Sequence, residues 1–454
     1  MNDTPAPRLA ATFAEAEDAL LSRWPETRID PTLDRIVALT ELLGDPQRAY
    51  PVIHLTGTNG KTSTSRMIDS LLRALDLRTG RFTSPHVERM SERICLDGAP
   101  LTDEEFVTAF NDVAPYLALI DAEQEHPLSF FETITAMAYA AFADAPVDAA
   151  VVEVGLGGTW DSTNVMDAKV AVVTPIGVDH AHLLGDDVRQ IARDKAGIIK
   201  PDSIAVLAQQ SEEVAPILLE RCAEVGATVA REGVDFGVVH RVPAVGGQAV
   251  SLQGLRGRYD EVFLPLYGAH QAQNAAVALA AVEAFVGGDQ PLSDEIVRGA
   301  FAEMTSPGRL EVIRRSPTIL LDAAHNPHGA AATAEALTDS FRFDPLVGVL
   351  SVMQDKDVEG VLEAFEPVLA HVVVTQNSTP RAMPAGRLAE IAGDVFGEHR
   401  VTVIPRLADA LDHAVTLAEE NQGQGDPLGS GAVLVTGSVV TVGEARTMLK
   451  GRRR

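Results

Sequence analysis

The sequence predicts an α/β fold built from mostly parallel sheets that are covered by helices. Short apolar runs alternate with helical patterns almost throughout the chain, from "PVIHL" at residue 51 to "AVLVTG" at residue 432. These runs are continuously apolar, which indicates strands that are buried on both faces. A chain of 454 residues is too long for one typical core, so more than one domain is expected.

A change of pattern and a proline–glycine break divide the chain. Residues 235–268 predict short antiparallel strands with glycine turns, and a helical pattern follows them. The break "TSPGRL" then precedes a second series of strands and helices. The sequence therefore predicts an N-terminal domain over residues 1–308, which includes the antiparallel segment, and a C-terminal Rossmann-like α/β domain over residues 309–454.

Composition limits the classes of partner and the compartment. The net charge of −27 argues against a nucleic-acid-binding protein, although a local group of cations could still hold a small anion. Cys95 and Cys222 form neither a disulfide framework nor a metal-ligand spacing. The N-terminus lacks the pattern of a signal peptide, and no apolar run approaches the ~20 residues of a membrane span. We therefore expect a cytoplasmic protein with neither nucleic-acid nor membrane partners. We also expect a monomer.

The stretch "TGTNGKTS" at residue 56 predicts a phosphate-binding loop. It follows an apolar run and precedes a helical pattern, so backbone N–H groups and the positive end of a helix should converge on one point. Lys61 would add a mobile positive charge, and Thr62 could offer its hydroxyl to Mg²⁺. The loop is shorter than the usual G-x-x-x-x-G-K-[ST] pattern, because the nearest preceding glycine is Gly57. The alternative is an ordinary glycine turn with Lys61 in solvent.

Polar residues follow two further apolar runs. Glu153 begins "EVGLGGTWDSTN", while Asp179, His180 and His182 lie in "TPIGVDHAHLLG". Such strand ends line the ligand crevice of open α/β sheets. Taken alone, His180 would be interpreted as a structural histidine. Together with Lys61 these residues indicate a Mg²⁺–nucleotide site, because Mg²⁺ prefers few protein ligands plus phosphate oxygens, and there is no Cys/His cluster for zinc.

Eleven motifs in order resemble one family. The chain from "IDPTLDRI" at residue 29 to "TGSVVTVGEAR" is similar to the folylpolyglutamate synthase/dihydrofolate synthase family of the Mur ligase superfamily. The resemblance explains the short loop, since G-T-N-G-K-[GT] is the form that this superfamily uses. The motifs are "GTNGKTS", "TSPHVERMSERI", "FFETITAMA", "VEVGLGGTWDSTN", "GVDHAHLLG", "DKAGIIKP", "HQAQNAAVAL", "PGRLE", "DAAHNP", "DKD" and "TGS".

The resemblance implies ATP-dependent amide formation through an acyl phosphate, with L-glutamate as the amine and dihydropteroate, reduced folates or both as acceptors. It implies two Mg²⁺ sites, with Ser84 and Glu153 at the first and His180 at the second. It also implies that Lys195 is carbamylated and serves as a metal ligand. The expected catalytic residues are Lys61, Lys195, His180 and Arg309. The expected ATP contacts are Gly57, Thr58, Asn59, Gly60, Lys61, Thr62, Asn274, Arg309 and Asp322.

The resemblance also predicts where the other substrates bind. In "LSFFETIT", Phe130 and Phe131 would pack on a flat heterocycle and Glu132 would accept its N–H groups. A helix that buries one of these two aromatic rings in the core is an equally good interpretation. The family often has arginine where Thr159 stands, so one substrate contact could be missing here. The remaining substrate candidates are Ser129 beside these aromatics, Trp160, and, near glutamate or phosphate, His325 and Ser438.

Several alternatives stay open at the level of sequence. Ser84 could be a turn residue before Pro85, Lys195 could form a surface ion pair with Asp194 or Asp187, and Arg309 could form a salt bridge. The protein could be another Mur-type ligase, although about fifty residues before Val52 leave little room for a UDP-binding domain. It could also be a regulatory nucleotide-binding module without catalysis. The stretch "DPTLDRI" resembles a loop of enzymes that accept dihydropteroate, which favours two activities at one site.

Overall fold

Seventeen strands form three sheets in the computed structural model, which describes residues 9–25, 30–420 and 431–451. The strands of the first sheet are β1 (Val52–Thr56), β2 (Thr79–Phe82), β3 (Ile94–Leu96), β4 (Ala99–Pro100), β5 (Ala149–Glu153), β6 (Val170–Val173), β7 (Ile204–Leu207) and β8 (Thr228–Arg231). The helices of this part are α1 (Phe13–Leu21), α2 (Asp34–Leu42), α3 (Lys61–Ala74), α4 (Asp103–Glu123), α5 (Phe130–Asp144), α6 (Ala181–Leu184), α7 (Val188–Lys195) and α8 (Ala215–Val225).

The first sheet is mostly parallel. Its strand order is β4-β3-β2-β5-β1-β6-β7-β8, and its described pairs are parallel except for β2 with β3 and β3 with β4. Every residue of β1 is buried, as its continuous apolarity predicts. On α3, Met67, Ile68, Leu71 and Leu72 are fully buried at helical spacing, and Leu75 lies just past the end of the helix.

A small antiparallel sheet and two helices follow. Its strands are β9 (Gly237–Ala244), β10 (Gly247–Gln253) and β11 (Arg258–Leu264), in the order β11-β10-β9. The helices are α9 (Ala269–Val286) and α10 (Asp294–Ala302).

The last sheet has six strands in the order β12-β13-β17-β14-β15-β16, and its pairs are parallel except for β12 with β13. The predicted α/β class is therefore confirmed. The strands are β12 (Glu311–Arg315), β13 (Thr318–Leu321), β14 (Leu346–Leu350), β15 (His371–Gln376), β16 (Val401–Arg406) and β17 (Ala432–Thr436). The helices are α11 (Pro327–Ser340), α12 (Val358–Phe365), α13 (Ala385–Phe396), α14 (Leu407–Glu420) and α15 (Val439–Gly451).

The chain divides into two units by its internal contacts. The first contains residues 1–240, 251–262 and 273–303, and the second contains residues 241–250, 263–272 and 304–454. The single division after residue 308 stays a prediction. Within the described residues, no helix combines the length and the apolarity that crossing a membrane requires.

Candidate active site

The carboxyl ends of four neighbouring parallel strands meet at one edge of the first sheet. These strands are β2, β5, β1 and β6. Ser84 comes just after β2, Glu153 ends β5, the glycine loop follows β1, and His180 lies beyond β6. Parallel strands place their carboxyl ends at the same edge, so the fold brings these predicted residues of the first unit together.

The glycine loop is fixed by the segment that follows β6. The N–H of Thr58 donates to the carbonyl oxygen of Pro175 at 3.0 Å, and its hydroxyl donates to the carbonyl oxygen of Gly177 at 2.9 Å. The same hydroxyl oxygen accepts from the N–H of Gly177 at 3.0 Å. The sequence indicated "TPIG" only as a strand end, and its role in holding the loop appears first in the structure.

Two glycines are required by the shape of this loop. Gly57 has φ +143°, and a Cβ there would lie 1.9 Å from Thr174 Oγ1. Gly60 has φ +88°, and a Cβ there would lie 2.6 Å from Oδ1 of Asn274. The amide of Asn274, a predicted nucleotide contact, thus lies directly against the loop.

Replacing Gly57 by alanine is expected to weaken ATP binding, because the new methyl group forces the loop away from Thr174. We expect a loss of about tenfold or more in affinity, which corresponds to ~1.4 kcal/mol, measured by calorimetric titration with an ATP analogue. Gly226→Ala is the matched control, since Gly226 also has positive φ (+70°) but nothing lies within 4 Å of its added Cβ. Equal affinity in the two variants would contradict the prediction.

Lys61 folds back over the loop. Its Nζ donates to the carbonyl oxygens of Gly57 at 3.0 Å and Thr58 at 3.2 Å. The side chain is half-buried at the first position of α3, where the helix dipole is positive. The ammonium group is therefore held at the loop, unlike a lysine that points into solvent.

The side chains of Thr62 and Glu153 bring together oxygen atoms that could serve as ligands for Mg²⁺. The hydroxyl of Thr62 lies 2.9 Å from Oε1 and 3.0 Å from Oε2 of Glu153, whose side chain is buried. The described part of the chain holds no group of three or more His, Cys, Asp or Glu arranged for a metal. A hydroxyl and one carboxylate fit Mg²⁺ when phosphate oxygens and waters complete the shell.

His180 begins the short helix α6 with left-handed backbone, φ +52°. Its N–H donates to Oδ1 of Asp179 at 2.7 Å, and its Nε2 lies 4.0 Å from the other carboxylate oxygen. The imidazole is 34% exposed while the Asp179 carboxyl is nearly buried. Asp179 thus holds the histidine at the sheet edge, where its imidazole is partly exposed.

Lys195, the last residue of α7, is buried. Burial, together with the nearby charge of Lys61, lowers the pKa of its amine to about 7, and Asp194 and Asp179 oppose this shift. A surface ion pair is therefore the wrong interpretation of this lysine. A Cβ on Gly158 would lie 2.8 Å from the Cα of Lys195, so the loop after Glu153 packs directly on it.

That loop has its own buried anchor, which sequence reasoning missed. Asp161 accepts from the N–H groups of Leu156 and Thr163, each at 2.9 Å, and from the Thr163 hydroxyl at 2.5 Å. Burial raises the pKa of Asp161. Trp160 is half-buried, and its Cζ2 would lie 3.4 Å from a Cβ on Gly157. The signal that could have revealed Asp161 is the D-x-T spacing of an Asx turn inside a glycine-rich loop.

The predicted substrate segment forms the first turn of α5. Ser129 and Glu132 make a reciprocal capping box, and Glu132 is buried against Arg35. Phe130 lies in the core with the Arg93 guanidinium 4.8 Å above its ring. The ring of Phe131 packs on Gly155, where a Cβ would lie 2.4 Å from its Cζ. Of the two phenylalanines, Phe131 is thus the one beside the end of β5.

In the second unit, Asp322 fixes the loop after β13. Its Oδ2 accepts from the N–H of Leu310 at 2.9 Å, and its Oδ1 accepts from the N–H of Ala324 at 3.0 Å and the Thr333 hydroxyl at 2.9 Å. Leu310 has left-handed backbone, φ +45°. Asp322 thereby places Arg309, the half-buried residue before Leu310, next to the same loop.

Two further predicted residues of the second unit lie on adjacent strand ends. His325 Nδ1 is 2.9 Å from the carbonyl oxygen of Ala323. Ser438 is buried after β17, and the preceding Gly437 donates its N–H to the carbonyl oxygen of Ala324 at 3.1 Å. The unit therefore brings Arg309, Asp322, His325 and Ser438 to one edge of its sheet.

Two family models match most of the chain. Residues 55–282 match the Mur ligase middle domain, and residues 308–439 match the glutamate ligase domain of Mur ligases. The chain belongs to the Mur ligase family. It is an ATP-dependent ligase of that family, as the short phosphate loop and the resemblance predicted.

Relatives refine the family assignment. A dihydrofolate synthase/folylpolyglutamate synthase of Mycobacterium tuberculosis is 50% identical over 98% of this chain and 95% of its own length. The protein of the same name from Escherichia coli is 31% identical over 94% of this chain and 93% of its own. The predicted family, folylpolyglutamate synthase/dihydrofolate synthase, is therefore confirmed.

Solved structures agree with this assignment. The Mycobacterium tuberculosis folylpolyglutamate synthase complexed with ADP has a TM-score of 0.93 and 51% identity, over 96% of this chain and 98% of that one. Escherichia coli FolC in complex with DHPP and ADP has a TM-score of 0.85 and 29% identity, over 99% and 100%.

Proposed function

We propose that this Mur ligase joins L-glutamate to dihydropteroate and extends reduced folates at the γ-carboxylate of their terminal glutamate. The observation that carries the proposal is the meeting of four strand ends at one sheet edge, with a phosphate loop beside Glu153. The names and bound nucleotides of its relatives support it.

The reaction needs two steps at one acceptor carboxylate. An oxygen of that carboxylate attacks the γ-phosphorus of ATP, the bond to the bridging oxygen breaks, and ADP leaves. The product is an acyl phosphate. The amine of glutamate then attacks its carbonyl carbon, inorganic phosphate leaves, and the nitrogen releases a proton. An amide is formed for each ATP consumed.

The first unit supplies positive charge where phosphate oxygens would lie. The N-terminus of α3 and the Lys61 ammonium lie together after β1. Held in advance, such groups stabilise the charge that develops during phosphoryl transfer. Arg309 and Asp322, in the second unit, are proposed to bind phosphate and ribose respectively.

The donors suit two Mg²⁺ ions. Thr62, Ser84 and Glu153 would hold the first, and His180 with a carbamate on Lys195 would hold the second. When bound, Mg²⁺ supplies positive charge that offsets the charge of the phosphate oxygens. The burial of Lys195 supports the carbamate, because a largely neutral amine can attack CO₂.

One catalytic apparatus can serve both acceptors. They share the pterin ring and differ in how far the reacting carboxylate lies from it, so the ring must bind at different depths. Phe131, beside the end of β5, is proposed as the surface on which this ring packs. His325 and Ser438 are proposed to lie near the glutamate or the leaving phosphate.

Labelled glutamate tests the proposal. Purified enzyme with ATP and Mg²⁺ receives dihydropteroate or a reduced folate in separate reactions, and label in product is measured with ADP release. We expect both acceptors to be glutamylated with one ADP per amide. An inert dihydropteroate would reduce the function to polyglutamylation, and use of a cell-wall precursor instead of either acceptor would reject the proposal.

We further propose that the chain acts as a monomer in the cytoplasm, where its two buried free thiols stay reduced. Light scattering on the same preparation measures the molar mass in solution. The mass of a dimer would contradict the proposed monomer.

A further inference from the structure

Arg35 links the N-terminal part of the chain to the first turn of α5. Its side chain is 8% exposed and lies between two carboxylates. Nη1 is 2.6 Å from Oδ2 of Asp30, and Nε is 3.0 Å from Oε1 of Glu132, whose side chain is 6% exposed. Removal from water makes such a pair sensitive to geometry, and the planar guanidinium fixes it in a way that lysine does not.

Glu132 connects Arg35 to the backbone at the start of α5. Its Oε2 also accepts from the N–H of Ser129 at 2.7 Å, and the Ser129 hydroxyl accepts from the N–H of Glu132 at 3.1 Å. Because the capping box and the ion pair share one carboxylate, Arg35 fixes the direction in which α5 begins.

Phe131 lies within this fixed turn. Its ring centroid is 5.8 Å from that of Phe82, and its Cζ would lie 2.4 Å from a Cβ on Gly155. Gly155 comes two residues after Glu153, the carboxylate beside the phosphate loop. A small rotation of the first turn of α5 would therefore move this ring relative to the reacting end of the site.

We propose that Arg35 is a positioning residue for acceptor recognition: it holds the first turn of α5 so that Phe131 meets the flat ring of the acceptor. The inference rests on the proposed function, and it goes further by naming a residue that touches no reacting group. Asp30 and Glu132 act through Arg35 in this scheme, so the carboxylate of Glu132 orients the helix rather than the substrate. The bonds of Arg35 and Glu132 run to Asp30 and to Ser129 at the start of α5, so the effect should fall on acceptor binding.

The test uses variants that separate position from stability. Arg35→Met leaves Glu132 buried without its partner, and that variant alone could fail to fold. The double variant Arg35→Met with Glu132→Gln removes both charges. The glutamine can still accept from the N–H of Ser129, so the capping box of α5 is kept. Arg35→Lys keeps the positive charge and loses the planar guanidinium that bonds two carboxylates at once. As a control, Arg400→Met removes an arginine–glutamate pair in the second unit, where Arg400 Nη1 lies 2.6 Å from Glu366.

The KM for each acceptor, ATP and glutamate is measured together with the melting temperature. We expect the double variant and Arg35→Lys to raise the KM for both acceptors about tenfold or more, with the KM for ATP within about twofold. Arg400→Met should change only the melting temperature. Unchanged acceptor KM values, or equal rises for acceptor and ATP, would overturn the inference. If the unaltered enzyme glutamylates neither acceptor, the proposed function itself fails.

Discussion

Replacing Lys61 by alanine is expected to lower kcat by about 1,000-fold or more while the protein stays folded. The ammonium group lies 3.0 Å from the Gly57 carbonyl oxygen and 3.2 Å from that of Thr58, where phosphate oxygens would converge. We expect it to meet the charge that develops in the transition state, so its loss should lower the rate. The hydrogen bonds of a half-buried lysine to the carbonyl oxygens of its loop contribute little to the free energy of unfolding, typically ~1 kcal/mol.

Steady-state ADP release, with circular dichroism to check folding, measures this effect. The matched control is Lys169→Ala, which removes the same charge from an exposed side chain that lies 5.0 Å above the Phe285 ring. Lys169→Ala should retain nearly full activity. A folded Lys61→Ala protein with near-normal ligase activity would reject the phosphate-loop assignment.

Lys195→Ala is expected to lose about 100-fold or more in activity and to recover part of it when formate or acetate is added. The reason is that a small carboxylate can enter the space left by a carbamate and replace its oxygens. The pKa of about 7 sets the direction of the pH effect. The neutral amine that reacts with CO₂ becomes more abundant as pH rises through 7, so modification of unaltered enzyme should increase over that interval.

Mass spectrometry at controlled CO₂ and activity with added carboxylates measure these two outcomes. Lys200→Ala serves as the control, since Lys200 is a half-buried lysine nearby that donates to the carbonyl oxygens of Asn164 and Met166. It should lose stability and show no recovery with carboxylates. The carbamate would be rejected if Lys195 carries a bare ammonium at saturating CO₂, or if Lys195→Ala shows no recovery.

The sequence predicted the fold class and the edge that carries the first unit's site, because both depend on local patterns. Continuous apolar runs mark β1, β5 and β6, and the polar residues that follow them mark the edge. The order of strands in the sheet does not follow from these runs. That β5 lies directly beside β1, which brings Glu153 to Thr62, is a property of long-range pairing.

Individual side chains were harder to predict where one residue type has two uses. "SFFE" fits a capping box as well as a substrate contact, and the structure has the capping box with Phe130 in the core. The sequence did not indicate that Lys195 is buried, because the charged residues Arg193 and Asp194 precede it and suggest an exposed part of the helix. Asp161 was harder to predict because the short D-x-T spacing is its only sign in the sequence, whereas its burial depends on how its loop folds.

The central position of β1 has a consequence for pieces of this chain. Strand β1 pairs with β5 on one side and with β6 on the other, and Thr58 bonds to the segment just past β6. A polypeptide that stops before Val170 thus contains all of "GTNGKT" and lacks both β6 and the segment that holds Thr58. The recognisable motif lies early in the sequence. The conformation of the loop that would bind the nucleotide forms only after β6 and the segment that follows it have been synthesised and have folded. Presence of the motif in a truncated product is therefore no evidence that the product binds ATP.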